Sequence, residues 1–433
     1  MQISVQSAKQ NLGIEPAPHV HCAMSTRRIM LYVMLSLIPA LAVITYFFGA
    51  ATIVQFILAG VTALLCQVLA AILRGRSIKR ACQDPSGLVT ALLLAITLPP
   101  LLPWYFTVIA TVFAMMIVRE CFGGLGMNIF NPAMSGFIFL VISAPGIFYS
   151  TWITPTPNAL SLATPSRVYE VIFKGEDPNI LISEIKELNA QQEQDYTIKL
   201  QNQLQEQRAA AAAAATTAAT AAAATTTGNT TSSGETASDA AAPAEDLPLL
   251  EPVEPHVTAD ALTGATFLES IKTARKAGDV DMQPKVDFLS PSFMAYTYLG
   301  AAYLVGGLFL IFTHVIRFQV PLFFLLTIVG VGALWHNLEP SMSISAVEHL
   351  LLGGTMLGAF YIITDPVTTC GTFKGRILLS VIIALLIILI RVHGSYSDSV
   401  AFAVMLGNCL APLMDVLTKR RPFGIGYRKG GLD

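Results

Sequence analysis

The sequence predicts an all-α membrane protein with about ten transmembrane helices, arranged as two inverted five-helix repeats with a long extracytoplasmic loop. Hydrophobic residues make up 54% of the 433 residues and charged residues only 12%, whereas soluble domains carry about 25% charged residues. Ten apolar runs fall into two groups of five, separated by a long polar stretch. Because an odd number of spans per group forces the second group to insert upside down, this spacing indicates an inverted repeat.

The apolar runs have the lengths expected of membrane-crossing helices. Most can span a hydrocarbon core of about 30 Å. The run at 86–98 is shorter and ends at two prolines, so by itself it indicates a buried or re-entrant segment. The first group, within 29–150, has runs at 29–48, 51–73, 86–98, 102–118 and 133–149, and the second, within 291–418, has runs at 293–316, 320–336, 346–363, 376–392 and 399–417.

Two sequence details occur once in each group. The third run ends at a Thr-x-Pro sequence in both groups, at residues 97–99 and at residues 364–366. A glycine-containing hinge joins the fourth and fifth runs, at residues 123–126 and at Gly394. These paired details favour an internal repeat over ten unrelated spans.

The distribution of basic residues predicts the orientation in the membrane. If the N-terminus is cytoplasmic, the short inner segments hold nearly all the Lys and Arg of the short connections, and only Arg391 lies in a short outer loop. The arm at 1–28 and the basic tail at 419–433 are then cytoplasmic. The long loop at 151–290 faces the periplasm if the protein lies in the inner membrane of a Gram-negative cell.

The long loop has two kinds of sequence. Residues 151–208 are expected to be partly ordered, with an amphipathic stretch near 179–206 that is rich in Glu, Gln and Lys. Residues 209–255 are a low-complexity linker that cannot bury a core. Its first part, 209–227, is almost wholly Ala and Thr and has no amphipathic face.

A short polar motif, DALTGAT at residues 260–266, follows the linker. Gly264 and Ala265 leave the Thr266 hydroxyl sterically open, which suits covalent modification. Glu269 stands three residues after Thr266, in the spacing of a capping box, so Thr266 also suits a helix N-cap. The two interpretations are compatible, because a phosphate on an N-cap hydroxyl would meet free backbone N–H groups and the positive end of the helix dipole.

Three carboxylates, Glu120, Asp365 and Asp415, are predicted near the inner ends of apolar runs. Glu120 precedes the glycine-rich hinge, and Pro366 after Asp365 frees a backbone carbonyl. Ionisable residues at membrane depth are costly and often functional. The three could form an entry funnel for a cation, or each could be an interfacial charge with no such role.

Composition excludes several other classes of function. A net charge of −2 argues against nucleic acid as a partner. The six cysteines include no Cys-x-x-Cys pair, which argues against an iron–sulfur site or a disulfide framework. The histidines are isolated and fit no zinc-ligand spacing, so we expect no metal site.

Taken together, these motifs resemble those of the RnfD subunits of Rnf ferredoxin:NAD⁺ oxidoreductase complexes, which are related to the NqrB subunits of the sodium-pumping NADH:quinone reductase. The resemblance covers nearly the whole membrane part, and the motifs that carry it are residues 25–30, 98–100, 120–132, 260–266, 364–367 and 411–415.

The resemblance implies a fold of two inverted five-helix units, similar to urea-transporter-like proteins. It implies covalent FMN on Thr266, attached by a flavin transferase through a phosphoester, and sodium-uptake roles for Glu120, Asp365 and Asp415. A non-covalent riboflavin is a further implied cofactor. The implied modification motif around Thr266 comprises Asp260, Thr263, Gly264 and Ala265.

The implied activity is electron transfer between ferredoxin and NAD⁺ coupled to movement of Na⁺ or H⁺. Expected partners are the other Rnf-type subunits: membrane subunits, a second flavinylated subunit and a cytoplasmic NADH-reacting subunit. We expect the chain alone to catalyse no complete reaction. Two alternatives remain: a small-solute transporter or channel without redox chemistry, in which DALTGAT is only a helix cap, and a quinone-reducing subunit.

Overall fold

The computed structural model describes residues 25–225, 290–338, 344–394 and 399–419, and within these ranges the chain is helical without strands. In chain order the helices are α1 (Thr26–Phe48), α2 (Ala51–Leu73), α3 (Ile78–Gln83), α4 (Ser86–Thr97), α5 (Trp104–Val112), α6 (Pro132–Ser143), α7 (Pro145–Ser150), α8 (Pro165–Tyr169), α9 (Pro178–Thr225), α10 (Pro291–Phe312), α11 (Gln319–Leu338), α12 (Ala346–Leu351), α13 (Thr355–Leu357), α14 (Phe373–His393) and α15 (Val400–Thr418). Three of them continue as π-helical turns: α5 through Phe113–Glu120, α8 through Glu170–Lys174 and α13 through Gly358–Ile362.

Six helices are long and apolar enough to cross a membrane: α1, α2, α10, α11, α14 and α15. Their number and composition confirm a helical, multi-pass membrane protein. The other four apolar runs form shorter or interrupted helices, so the count of ten spans stays a prediction. The run predicted at 133–149 is divided into α6 and α7 at Ala144, which has a non-helical backbone. The run predicted at 346–363 is divided by Leu352, Gly353 and Gly354, and both glycines have positive φ.

The short helix α4 ends at the proline-rich stretch predicted to interrupt it. Prolines at 99, 100 and 103 cannot donate backbone hydrogen bonds, so the stretch leaves carbonyls without helical partners. The fully buried side chain of Gln55 meets this need, since its amide donates to the carbonyls of Pro100 (3.1 Å) and Leu102 (2.7 Å). Its own oxygen accepts from the Thr107 hydroxyl at 2.6 Å. The chain therefore turns at this break with two of its backbone carbonyls hydrogen-bonded inside the protein.

The two groups of helices share one large hydrophobic core, and two pairs of helices with matching positions in their groups pack across it. The first helices of the groups, α1 and α10, pack together, as do the last, α6 and α15. Gly306 allows the close approach of α10 to α1, because a Cβ there would collide with the carbonyl of Ser36 and the hydroxyl of Tyr361. The Tyr361 hydroxyl donates to that same carbonyl at 3.1 Å.

Part of the long loop is an ordered helical layer with its own core. Val168, Ile172 and Ile185 from α8, its π-helical turn and α9 pack against Ala51 and Leu101 at the ends of membrane segments. Helix α9 then continues without interruption into the Ala/Thr-rich stretch and ends at Thr225. Alanine has the highest helix propensity, which favours a helical backbone in this stretch.

Candidate ion-pathway site

The predicted flavin-attachment motif lies outside the described residues, so Asp260, Thr263, Gly264, Ala265 and Thr266 stay predictions from the sequence. The three predicted carboxylates are all described, and the structure places each of them at the end of a membrane segment.

Glu120 lies between two arginines at the end of the π-helical extension of α5. Its Oε2 atom is 3.0 Å from Nη1 of Arg74, and its Oε1 atom is 3.6 Å from Nε of Arg119. Arg74 also donates to the backbone carbonyls of Gly123 (2.8 Å) and Glu120. The Glu120 side chain is only 13% exposed. The carboxylate is therefore neutralised by guanidinium groups rather than open to solvent.

The structure adds a fourth carboxylate, Asp84, that sequence reasoning missed. Its Oδ2 atom is 3.0 Å from Nη2 of Arg119, whose side chain is only 5% exposed. Asp84 also accepts hydrogen bonds from the backbone N–H of Ser86 (3.0 Å) and from the Ser86 hydroxyl (2.7 Å) at the start of α4. The signal for it was present in the sequence, because an aspartate directly before an apolar run is a helix-start residue.

The glycine-rich hinge after Glu120 has a backbone that needs glycine. Gly123, Gly124 and Gly126 all have φ between 90° and 126°, which side-chain-bearing residues rarely adopt. Gly124 also lies against the charges, because a Cβ there would stand 3.0 Å from Nη1 of Arg74. The hinge thus brings main chain close to the Arg74–Glu120 pair.

Asp415 tethers α15 to the N-terminus of α14. Its carboxylate accepts hydrogen bonds from the backbone N–H groups of Gly371 (2.9 Å) and Thr372 (3.0 Å), and from the Thr372 hydroxyl (3.0 Å). Thr372 is itself the N-cap of α14. A carboxylate at a helix N-terminus is favoured by the free N–H groups and by the helix dipole.

Asp365 lies in the same connection between α13 and α14. Its Oδ1 atom accepts from the backbone N–H of Val367 at 3.1 Å, and its Oδ2 atom accepts from the Thr368 hydroxyl at 3.4 Å. The described contacts therefore sort the three predicted carboxylates into two sets. Glu120 lies among arginines, whereas Asp365 and Asp415 are held by hydrogen-bond donors of residues 367–372.

Two asparagines join α6 and α15. Asn131 caps α6, since its side-chain oxygen accepts from the backbone N–H groups of Ala133 and Met134. The backbone N–H of Asn131 donates to the Asn408 amide oxygen at 3.1 Å, and the Asn408 amide nitrogen donates to the Val404 carbonyl. Asn408 lies near the middle of α15, so α6 begins at about half the depth of that span.

Each group of helices has a buried arginine near the end of its fourth segment. Arg119 binds Asp84 at the start of α4. In the second group, Arg391 donates to the carbonyls of His349 and Leu352 and to the Thr355 hydroxyl at the start of α13. Arg119 therefore holds the start of α4, and Arg391 holds the break between α12 and α13, so each contacts the third run of its own group.

The Thr-x-Pro sequences also have equivalent contacts. The hydroxyl of Thr97 donates to the Leu93 carbonyl at 3.1 Å, and that of Thr364 donates to the Phe360 carbonyl at 2.7 Å. In both cases the threonine bonds four residues back at the end of the third segment.

Long apolar helices, short interrupted segments and partly buried carboxylates at segment ends define a multi-pass helical membrane protein with a set of held carboxylates in each half. The chain belongs to the NQR2, RnfD, RnfE family, whose model matches residues 13–424. It is 34% identical over 420 residues to proteins from Salmonella paratyphi B and Shigella boydii serotype 18 that are named as the D subunit of an ion-translocating oxidoreductase complex. The similarity covers 96% of this chain and 99% of each relative.

Proposed function

We propose that this chain is a membrane subunit of an ion-translocating electron-transport complex of the Rnf type, and that it carries FMN covalently on Thr266. The observation that carries the proposal is the similarity to the D subunits of ion-translocating oxidoreductase complexes over nearly the full length of both chains. The DALTGAT motif at 260–266 adds a specific attachment point. FMN, once bound, would supply reversible electron transfer, and the protein would set its position and potential.

We propose further that the complex couples electron transfer between ferredoxin and NAD⁺ to the movement of Na⁺ or H⁺. Glu120, Asp365 and Asp415 are the candidate residues of the ion pathway. Each carboxylate is held at a segment end by hydrogen-bond donors or guanidinium groups. Carboxylates at such discontinuities are where transporters with broken helices commonly bind their coupling ions.

The proposed architecture has ten spans in two inverted repeats. Three observations support it: the pairing of α1 with α10 and of α6 with α15, the equivalent clamps made by Arg119 and Arg391, and the matching bonds of Thr97 and Thr364. A two-fold relation between the halves would place all three sets of residues in equivalent positions.

The proposed location is the cell inner membrane, with cytoplasmic termini and the loop at 151–290 in the periplasm. Proposed partners are sister Rnf-type membrane subunits, a second flavinylated subunit, a cytoplasmic NADH-reacting subunit and the flavin transferase. Non-covalent riboflavin is a further proposed cofactor. Support for the partners comes from the similarity to proteins that are named as subunits of a complex.

The flavin is tested on protein produced in its native host together with the flavin transferase. We expect a fluorescent band on a denaturing gel under ultraviolet light. Trypsin leaves Thr266 in the peptide 209–272, and a second cleavage before Asp260 reduces it to 260–272. Mass spectrometry of that peptide should show the added mass of FMN less one water. Thr266→Ala should abolish the band, and Thr258→Ala, which removes a nearby hydroxyl outside the 260–266 motif, serves as the control.

The competing function is a small-solute transporter or channel without redox chemistry. It accounts for the broken helices and predicts an unmodified Thr266 even when the transferase is present, which would refute the flavin proposal. A quinone-reducing subunit is distinguished by the assembled complex, because it predicts quinone-dependent rather than ferredoxin-dependent oxidation or reduction of the nicotinamide.

A further inference from the structure

Four charged side chains form a closed cluster where α2, α4 and α5 meet. Arg119 contacts Asp84 and Glu120, and Glu120 also contacts Arg74. With two guanidinium groups and two carboxylates, the formal charge of these four is zero. Their partial burial strengthens each contact relative to a fully exposed ion pair. A change to one carboxylate therefore alters the contacts that the guanidinium groups make with the other.

Asp84 and Glu120 both contact Arg119. The contact to Asp84 is 3.0 Å, whereas the contact to Glu120 is 3.6 Å and involves a different nitrogen atom. Asp84 is fixed in place by its two bonds to Ser86. Arg119 is thus drawn toward Asp84, and its contact with Glu120 is the weaker one.

We propose that Asp84 is a positioning residue that draws Arg119 toward itself, weakens the contact of Arg119 with Glu120 and so eases the access of a monovalent cation to Glu120. The proposal rests on the proposed function, in which Glu120 belongs to the ion pathway. Without the Asp84 charge, Arg119 can turn both nitrogens onto Glu120 and form the bidentate pair that guanidinium and carboxylate favour. A cation would then have to displace a stronger internal partner before it reached Glu120.

Asp84 also holds the first residue of α4 through its bonds with Ser86, and that role must be separated from its charge. Asparagine is as good a helix-start residue as aspartate, because its side-chain oxygen accepts the same backbone N–H. Asp84→Asn therefore retains the bond from the Ser86 backbone N–H and removes the charge that attracts Arg119, whereas Asp84→Ala removes both. A purely structural role predicts that the asparagine variant behaves as the wild type.

The chain offers a matched control at Asp177. Its Oδ1 atom accepts the backbone N–H of Asn179 at 3.0 Å, the same i to i+2 geometry and distance as Asp84 with Ser86. Asp177 is exposed and lies at the start of α9, outside the membrane segments. Asp177→Asn makes the same chemical change without a guanidinium partner in the described contacts.

The experiment measures electron transfer by the assembled complex in sealed vesicles as Na⁺ is varied. We expect Asp84→Asn to raise the half-saturating Na⁺ concentration about five- to tenfold, at the low end of typical coupling between sites. Asp177→Asn should match the wild type. Asp84→Asn combined with Arg119→Gln should return the half-saturating concentration toward the wild-type value, because the released guanidinium is gone. A purely structural role would not produce this rescue.

Glu120→Gln separates the role of Asp84 from that of Glu120. If it removes Na⁺ dependence while Asp84→Asn matches the wild type, the role of Asp84 is refuted and that of Glu120 stands. If Glu120→Gln leaves Na⁺ dependence unchanged, or the wild-type complex shows none, Glu120 does not bind Na⁺ and the inference falls with it. Amounts of assembled complex on size exclusion show that each variant folds.

Discussion

Asp415 tests whether a proposed ion-pathway carboxylate is also a structural tether. Its two oxygens accept three hydrogen bonds from Gly371 and Thr372 at the start of α14. In Asp415→Asn, the amide oxygen can keep both bonds from Thr372, but the amide nitrogen then faces the N–H of Gly371. In Asp415→Ala all three bonds are lost.

The expected destabilisation follows from these contacts. A hydrogen bond to a charged group contributes about 1.5–3 kcal/mol. Because Gly371 is exposed and Asp415 partly so, water replaces part of each lost bond, which favours the low end of that range. We expect Asp415→Asn to cost about 1.5 kcal/mol, and Asp415→Ala about 4.5 kcal/mol because the two Thr372 bonds are lost as well.

The assay is reversible denaturant unfolding in detergent, run beside the Na⁺-dependent activity of the assembled complex. Thr372→Val removes one of the three donors together with the N-cap bond from Gly375, so it should destabilise the protein by more than the loss of one bond to Asp415. If Asp415→Asn unfolds at the wild-type denaturant concentration, the tether reasoning is refuted. Loss of activity in that variant with unchanged stability would then assign the residue to the ion pathway alone.

Three further predictions follow from single contacts. Gln55→Leu leaves two carbonyls of the proline-rich break unpaired and should destabilise the protein by about 2–4 kcal/mol in the same assay; wild-type stability would contradict the proposed role of these bonds. Gly307→Ala should destabilise it by about 1–3 kcal/mol, because the new Cβ meets an aromatic ring, whereas Gly330→Ala has open space and should be neutral. The hydrogen bond from Arg167, with attraction from its charge, lowers the pKa of Glu184 below its ordinary 4.5. The ion pair contributes less than about 1 kcal/mol to stability, because both side chains are over a third exposed. This contribution is present above pH 4.5 and is lost as the pH falls through the lowered pKa of Glu184. A Glu184→Gln variant with an unaltered acid unfolding profile would contradict this.

The helical membrane class and the main spans could be predicted from the sequence because hydropathy reports directly on contact with lipid. The same signal does not detect backbone breaks inside apolar runs. The run at 133–149 is apolar on both sides of Ala144, so its division into α6 and α7 has no hydropathy signature. The adjacent glycines Gly353 and Gly354 do indicate the break at 352–354. The apolar content of the surrounding run outweighs that signal in a prediction from hydropathy.

The site shows where prediction from the sequence ends. Glu120 was identified because it stands at the end of an apolar run, and its neighbour Arg119 was visible beside it. The contacts from Arg74 and from Asp84 cross separations of 46 and 35 residues, as the corresponding hydrogen bonds show. Such pairings depend on how α2 and α4 pack against α5, which residue spacing alone does not specify. The position of the Glu120 carboxylate was predictable, but its pairing with Arg74 was not.

The contacts of the three carboxylates bear on how ion movement could be controlled in the proposed function. Glu120 is bound by guanidinium groups, and Asp365 and Asp415 by N–H and hydroxyl donors. A cation gains little from a carboxylate whose oxygens are already satisfied, because it must first displace those donors. The donors of Asp415 lie at the start of α14, whereas the acid itself lies on α15. A small displacement of a segment start could therefore expose or cover a carboxylate without moving the acid itself, so control of ion access would lie with the donors.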